Sequence, residues 1–525
     1  MTGPTFPDQL NLADYYLFDR EREGLGDDIA IRYGDRSWTY AEVADRSRRF
    51  AAALARAGVS PEQRVYIVLP DTPPFAWALF GILARGAVVA MGNPAAPDGD
   101  LSYVVDYSRA AAVVITESAA AKVSKALAES PFLKQVYIVP DTATGEDPEA
   151  PCQIPAGVKG VTLRGALDSA VGDGSVRTRR DDIAFWLFTS GSTGRPKAAL
   201  HSHRDFAFNT EVYAKGTVGY RRGDVTVSVP NLYFGYATGT NLLFPFAVGA
   251  TAALFSERPT AESVAGAIER YQPTVVTNVP TMIGKLLDLD DERKAAGQPG
   301  LDMSSVRFHL SAGEALPPAL LDRFTDRFGA EVYDGIGSAE MFHIYISNRP
   351  GDVKPASLGR RVDGYELKIL PASAAGPGAD EVADGETGVL WVRGDSVAHG
   401  YFQDRDKSWK TFHGHWCRTG DLFRRDADGY YWFEGRADDL FKVGGIWVAP
   451  REVEDCLMGH EAVALAAVVP VEIDGLTKPK AFVVPKPERK QVLDDDSLRT
   501  ELVAALQGHC KERLSKHKYP RLVEV

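Results

Sequence analysis

The chain has 525 residues, 45% hydrophobic and 25% charged, too long for one hydrophobic core, so at least two domains are expected. Its 59 basic and 71 acidic residues leave a net charge of −12. That balance argues against a general nucleic-acid binder, although it leaves room for a local basic groove.

The N-terminus, "MTGPTFPDQLNLADYYL", has no basic start followed by an apolar run, so no secretory signal is expected. The four cysteines, Cys152, Cys417, Cys456 and Cys510, form no C-x-x-C pair, which reads as a reduced cytoplasmic protein with unpaired thiols. "RVYIVLP" (64–70) predicts a strand, "TPPFAWALFGILARG" (72–86) a buried helix and "AVVAM" (87–91) another strand. Arg85 and Gly86 interrupt this apolar stretch, which therefore falls short of the ~20 continuous residues of a membrane span. "AAAVVIT" (110–116), "QVYIVP" (135–140), "VTVSVP" (225–230), "PTVVTNVP" (273–280) and "VRFHLSAGEALP" (306–317) repeat the pattern of a short β-branched run breaking into a polar loop. This alternation predicts an α/β fold, with parallel-rich sheets covered by helices. In such sheets ligands lie beyond the carboxyl ends of the strands, where these loops fall.

From Ala372 to Asp384 the chain turns polar and small. Short alternating strands follow, "TGVLWVRG" and "GDLFRRDADGYYWFEGR", the latter turning at "DADG" (426–429). These predict a β-rich subdomain. The last stretch mixes strands with the charged helix "DDSLRTELVAALQGHCKERLS" and reads as a small α+β domain. We place the boundary at 437/438, giving domains of 1–437 and 438–525.

Residues 188–203, "FTSGSTGRPKAALHSH", crowd hydroxyls and glycines ahead of Arg-Pro-Lys. A Walker A loop fails here: Arg195 and Pro196 stand between Gly194 and Lys197, and Ala198 follows the lysine. The chemistry of phosphate capture survives. Glycines expose backbone N–H groups, Ser190, Ser192 and Thr193 add hydroxyl donors, and Lys197 brings a point charge. A flexible Ser/Gly linker would need neither the buried strand "IAFWLF" before it nor the Pro-Lys after it.

"FTSGSTGRPK" resembles the signature loop of the adenylate-forming superfamily, which includes the acyl- and aryl-CoA synthetases. "SAGEALP" (311–317), "YDGIGSAEM" (333–341), "RTGD" (418–421) and "GRADDLFKVGGIWVAPREVE" (435–454) resemble its further motifs, in order and over essentially the whole chain. The resemblance implies a two-step reaction with ATP, Mg2+ and coenzyme A: a carboxylate becomes an acyl-adenylate, then a thiol displaces AMP. It implies that Ser190, Gly191, Ser192, Thr193, Gly194 and Lys197 clamp phosphates, with Thr193, Lys197 and Glu340 catalytic and Glu340 holding magnesium. By the same likeness Gly313, Glu314, Ala315, Asp334, Gly335 and Ile336 line the nucleotide, Asp421 accepts the ribose hydroxyls and Arg436 contacts ribose or phosphate. Asp438 takes the hinge position of a mobile C-terminal domain, and Phe234, Gly444 and Gly445 border the coenzyme A tunnel.

One position departs from the family: Ala339 stands where a threonine is expected before the glutamate. A lost hydrogen bond to a charged group costs roughly 1.5–3 kcal/mol, with Ser338 or water as substitute. The family also carries a lysine in a "P-K-T-x-x-G-K" tail. The sequence given ends "KHKYPRLVEV", with Lys516 and Lys518 ahead of that position. The expectation is a severely slowed first half-reaction with thiolysis of a supplied adenylate retained.

"NLYFGYATGTNL" (231–242) and "GSAEMFHIYISN" (337–348) resemble the benzoate-CoA ligase branch. There Gly235 and Tyr236 imply one wall of an aryl-acid pocket, Ile336 and Gly337 another, and His343 and Ile344 the far end. Glycine at 235 leaves space for about one ring substituent, and His343 offers an acceptor to an amino or hydroxyl group. The expected acid is benzoate or 2-aminobenzoate. Loading of a carrier protein, and an inactive adenylate-binding protein, stand as alternatives. "HGHWC" (413–417) and "HSH" (201–203) lack a second ligand pair at zinc-finger spacing, and no zinc is assigned. No nucleic-acid or membrane partner is expected.

Overall fold

The computed structural model describes residues 3–190, 195–443, 446–473 and 476–525. The chain divides into two compact units, one of residues 1–366 and 392–417, the other of 367–391 and 418–525.

Among the described residues the first unit is built on two large sheets. In one, Gly160–Thr162, Gln135–Val139, Ala112–Thr116, Arg64–Val68, Val88–Met91 and Ile183–Ser190 run parallel in that spatial order. Pro196–Ser202 closes this sheet antiparallel, with Thr189 opposite Lys197 and Leu187 opposite Ala199. The other sheet has a parallel core of Glu331–Gly337, Phe308–Ser311, Val275–Asn278, Val225–Ser228, Thr251–Leu254 and Ile29–Tyr33. Ile344–Ser347 adds antiparallel beside Glu331–Gly337, pairing Gly337 with Ile344.

The apolar stretch at 73–84 is a helix buried on every side, Pro73–Ala84. Two prolines occupy its first turn, where their missing N–H groups cost nothing. Arg85 ends it and Gly86, at φ +66°, turns the chain into the next strand. Tyr40–Arg56 packs alongside, started by a capping box between Thr39 and Glu42. Among the described residues no helix is long and apolar enough to cross a membrane.

In the second unit residues 421–425 of the strand Trp416–Arg425 pair with Tyr431–Arg436 as the hairpin predicted around "DADG". Its end portion packs the helices Pro450–Met458 and Asp496–Arg513 on a sheet of Val463–Ile473, Leu476–Pro485 and Leu522–Glu524.

A stack of three rings joins the elements that matter most below. Phe206 lies 4.0 Å from Phe185 and 3.5 Å from Phe342, centroid to centroid, near parallel on both sides. Phe342 holds φ +66°, ψ −57°, a conformation that costs a non-glycine residue about 1–3 kcal/mol, and the stack offsets that cost. Phe206→Ala is expected to lose about 3–5 kcal/mol of unfolding free energy, read from denaturant midpoints. A loss below about 1 kcal/mol contradicts this packing role.

Candidate active site

The strand Pro196–Ser202 sets the geometry. Its outer edge is paired by residues 398–402: the Leu200 N–H donates to the Gly400 carbonyl at 3.0 Å, the His399 N–H to Leu200 at 2.8 Å and the Phe402 N–H to Ala198 at 2.9 Å. This pairing brings Tyr401 under Lys197, whose Nζ lies 3.7 Å from the ring centroid. The Tyr401 hydroxyl donates to Glu340 Oε1 at 2.5 Å, and the Ala398 N–H donates to the Glu340 carbonyl at 2.8 Å. Lys197, Tyr401 and Glu340 thus form one cluster at the end of the strand pair that flanks the hydroxyl-rich loop.

Its electrostatics suit an anionic ligand. Burial pushes the Lys197 ammonium down, while the Glu340 carboxylate pulls it back up. Burial, and then Glu340, push the Tyr401 hydroxyl up, so it stays protonated and keeps donating. Among the described residues Lys197 makes no ion pair within 4 Å. Glu340 Oε2 likewise has no hydrogen-bond partner among them, whereas Oε1 is taken by Tyr401. A half-buried carboxylate, hard in its oxygen donors and in one cluster with a lysine ammonium, fits the chemistry of an Mg2+ ligand.

Gly191, Ser192, Thr193 and Gly194 lie outside the described residues, as do Gly444 and Gly445. Ser190 ends its strand opposite Pro196. The residues expected on the nucleotide side fall at the carboxyl ends of neighbouring parallel strands. Gly313, at φ +89°, Glu314 and Ala315 form an exposed loop after Phe308–Ser311, and Glu314 Oε2 accepts from the Thr281 hydroxyl at 2.6 Å. Asp334 is buried and accepts from the Ser311 hydroxyl at 2.8 Å. Gly335 and Gly337 run so close to the adjoining strand that an added Cβ would lie 2.7 Å from the Ile346 carbonyl oxygen and 2.5 Å from that of His343, respectively. On the second unit, Asp421 and Arg436 face each other across the hairpin in a 2.5 Å ion pair. Asp438 is exposed in the turn Ala437–Asp439.

The segments expected to hold the acid do meet. Gly235 and Tyr236 open the short helix Gly235–Thr238, whose N-cap Phe234 is 54% exposed. His343 Nε2 donates to the Tyr236 carbonyl at 3.0 Å, and Ile344 continues as a buried strand. The imidazole is boxed by Tyr213, Tyr236, Phe244 and Phe342, at 5.5, 5.2, 4.8 and 5.3 Å between ring centroids. Burial pushes its pKa down to about 3, so the ring is neutral with its proton on Nε2 and its Nδ1 an acceptor. Among the described residues neither Nδ1 nor the buried Tyr236 hydroxyl has a partner. The space expected at Gly235 is narrower than its missing side chain suggests, because a Cβ there would lie 3.1 Å from Leu187.

Three contributors escape the motifs. Tyr401 sits in "GYFQDR", which gives no chemical signal of its own. His201 belongs to the H-x-H pair, but its nitrogens face Asp205 and the Ala339 carbonyl. Asp71, fully buried, accepts from the Leu232 N–H at 2.9 Å and so ties down the loop leading into Gly235.

Residues 18–402 match the AMP-binding enzyme family and residues 452–525 the AMP-binding enzyme C-terminal domain; the chain belongs to this adenylate-forming superfamily. Within it the chain lies in the benzoate- and anthranilate-CoA ligase branch. It is 37% identical to the 4-hydroxybenzoate-CoA/benzoate-CoA ligase of Rhodopseudomonas palustris, over 98% of this chain and 90% of that protein. It is likewise 37% identical to the benzoate-CoA ligase of Thauera aromatica, over 99% and 93%. A crystal structure of an anthranilate CoA ligase in complex with anthranoyl-AMP superposes with a TM-score of 0.85 at 32% identity, covering 99% of this chain and 94% of that one.

Tyr401→Phe keeps the ring under Lys197 and removes one hydrogen bond to a charged group, worth about 1.5–3 kcal/mol. It is expected to lower kcat/KM for ATP about ten- to a hundredfold; a change under about twofold would show that the contact is idle. Burial also pushes the Asp71 and Asp334 carboxyl groups up to about 7, above the usual value of ~3.9. The folded chain therefore keeps protons that the unfolded chain releases, and stability falls as pH rises from about 4 to about 7. Asp71→Asn is expected to flatten the drop in Tm between about pH 5 and about pH 8; an unaltered slope contradicts the shift.

Proposed function

We propose that this protein activates an aromatic carboxylic acid, benzoate or a substituted benzoate with 2-aminobenzoate favoured, as an aroyl-AMP and then transfers the aroyl group to coenzyme A. In the first step a carboxylate oxygen attacks the α-phosphorus of ATP and the bond to the bridging oxygen breaks, releasing pyrophosphate. Charge builds on the phosphate oxygens, so the step is served by oriented donors and cations rather than by a covalent enzyme intermediate. Lys197 meets the β- and γ-phosphates together with Ser190, Gly191, Ser192, Thr193 and Gly194. Glu340 would hold Mg2+, which when bound supplies positive charge to the phosphates. Gly313, Glu314, Ala315, Asp334, Gly335 and Ile336 take the nucleotide, Asp421 its ribose and Arg436 the ribose or phosphate. In the second step the thiol sulfur attacks the acyl carbonyl carbon and gives up its proton, AMP leaves with the electron pair of the carbon–oxygen bond, and a thioester forms. Asp438 serves as hinge between residues 1–437 and 438–525, and Phe234, Gly444 and Gly445 border the path of the pantetheine arm. The setting is cytoplasmic.

The observation that carries the choice of acid is the box around His343. A neutral ring that spends its only N–H on the Tyr236 carbonyl leaves an acceptor, Nδ1, among aromatic faces. An amino or hydroxyl group on a benzoate supplies the missing donor, and the aromatic walls favour a flat ring over an alkyl chain. The relatives named for benzoate and hydroxybenzoate support the same class, as does the structure with anthranoyl-AMP.

The test is thioester formation over a panel of acids. Benzoate and 2-aminobenzoate are expected to exceed straight-chain fatty acids and amino acids in kcat/KM by at least about a hundredfold. His343→Ala is expected to erase the preference for 2-aminobenzoate over benzoate, a difference of about 1–3 kcal/mol. Preference for fatty or amino acids contradicts the reading. Replacing free coenzyme A with a purified carrier protein decides the acceptor, and faster loading of the carrier would move the second step to that partner.

A further inference from the structure

Lys197 and His201 stand four residues apart on Pro196–Ser202, a spacing that puts both side chains on one face of the strand. Lys197 reaches the Glu340 turn through Tyr401. His201 reaches the same turn from its other end, since its Nε2 donates to the Ala339 carbonyl at 2.6 Å while its Nδ1 faces Asp205 Oδ2 at 2.9 Å. Asp205 is itself anchored, accepting from the Ser202 hydroxyl on Oδ1 at 2.5 Å and from the Ser202 N–H on Oδ2 at 3.1 Å. The His201 and Asp205 side chains are 0% and 2% exposed, so water does not compete for these contacts.

The turn Ala339–Met341 is a single 3-10 turn whose other backbone ties are the Ala398 N–H on the Glu340 carbonyl, the Met341 N–H on the Ser338 carbonyl and the His343 N–H on the Met341 carbonyl. Ala339 brings only a methyl group, so the turn's own side chain at that position cannot orient it. We infer that His201, braced by Asp205, is a positioning residue that fixes the backbone of this turn and thereby aims the Glu340 carboxylate at the metal. This rests on the reading of Glu340 as the Mg2+ carboxylate. A buried pair that serves stability alone would lower Tm and leave metal affinity untouched. A positioning pair moves metal affinity as well, and groups that orient a metal ligand typically change it about 10–100-fold when removed.

The experiment is calorimetric titration of ATP into the full chain over a series of Mg2+ concentrations, giving apparent Mg2+ affinity without turnover, with Tm and thiolysis of a supplied aroyl-AMP as fold controls. His201→Leu is expected to weaken apparent Mg2+ affinity about tenfold or more while thiolysis holds. His201→Gln, which keeps an N–H for the Ala339 carbonyl, is expected to recover affinity to within about twofold of the parent. Should His201→Leu not fold, Asp205→Asn decides in its place, with a several-fold loss expected. Parent-like Mg2+ affinity in a folded His201→Leu or Asp205→Asn chain overturns the inference if Glu340→Gln has lost Mg2+ dependence. If Glu340→Gln keeps that dependence, the metal assignment itself is wrong and the role of His201 goes with it.

Discussion

One short strand carries the arrangement. Pro196–Ser202 pairs on one side with Ile183–Ser190 and on the other with the backbone of residues 398–402. Those two seams fix Lys197 over Tyr401 and Tyr401 on Glu340. Backbone hydrogen bonds are the right tool for this, because Ala198, Ala199, Ala398, Gly400 and Tyr401 are buried along the outer seam, where a misplaced polar group would go unpaired. Without the outer seam, Glu340 would lose its tyrosine donor and Lys197 the ring against which it lies.

The same hairpin shapes the region assigned to the acid. Leu187, on the inner strand opposite Ala199, closes on Gly235, and Phe185 supports the ring stack that ends at Phe342. Phe342 takes its strained conformation next to His343 and one turn after Glu340. The strain sits where the chain reverses between the carboxylate turn and the strand Ile344–Ser347, so a single backbone feature sets the spacing between the two chemistries. The Glu340 cluster and the aromatic box around His343 are adjacent because both grow from residues 338–344.

Much of this was legible in the sequence, for a physical reason. The strands at 64–68, 88–91, 112–116, 135–139, 225–228, 275–278 and 308–311 are β-branched and bounded by turns, and each forms as read. The family and its branch were also legible, because phosphate capture and adenylate handling need fixed residue types at fixed spacings. Tyr401, Asp205 and Leu187 were not. Their roles come from contacts with residues 340, 339 by way of His201, and 235, and local composition carries no signal of such pairings. Gly235 shows the limit of reading a residue alone: the missing side chain suggested room, but Leu187 borders it. "HSH" shows the converse. The spacing of these two histidines assigned them no metal and no other role, yet His201 turns to Asp205 and the Ala339 carbonyl, while His203 Nδ1 accepts from the Leu12 N–H at 3.1 Å.

The central claim is that nucleotide and aromatic ring share one site centred on the Lys197–Glu340 cluster. Its most direct test is calorimetric titration with a hydrolysis-resistant aroyl-AMP mimic bearing a 2-aminobenzoyl ring, against an otherwise identical mimic bearing a straight alkyl chain. The account predicts saturable one-to-one binding of the aromatic mimic, weakened in Lys197→Met, and much weaker binding of the alkyl mimic. Absence of heat with either mimic, or tighter binding of the alkyl mimic, would contradict it.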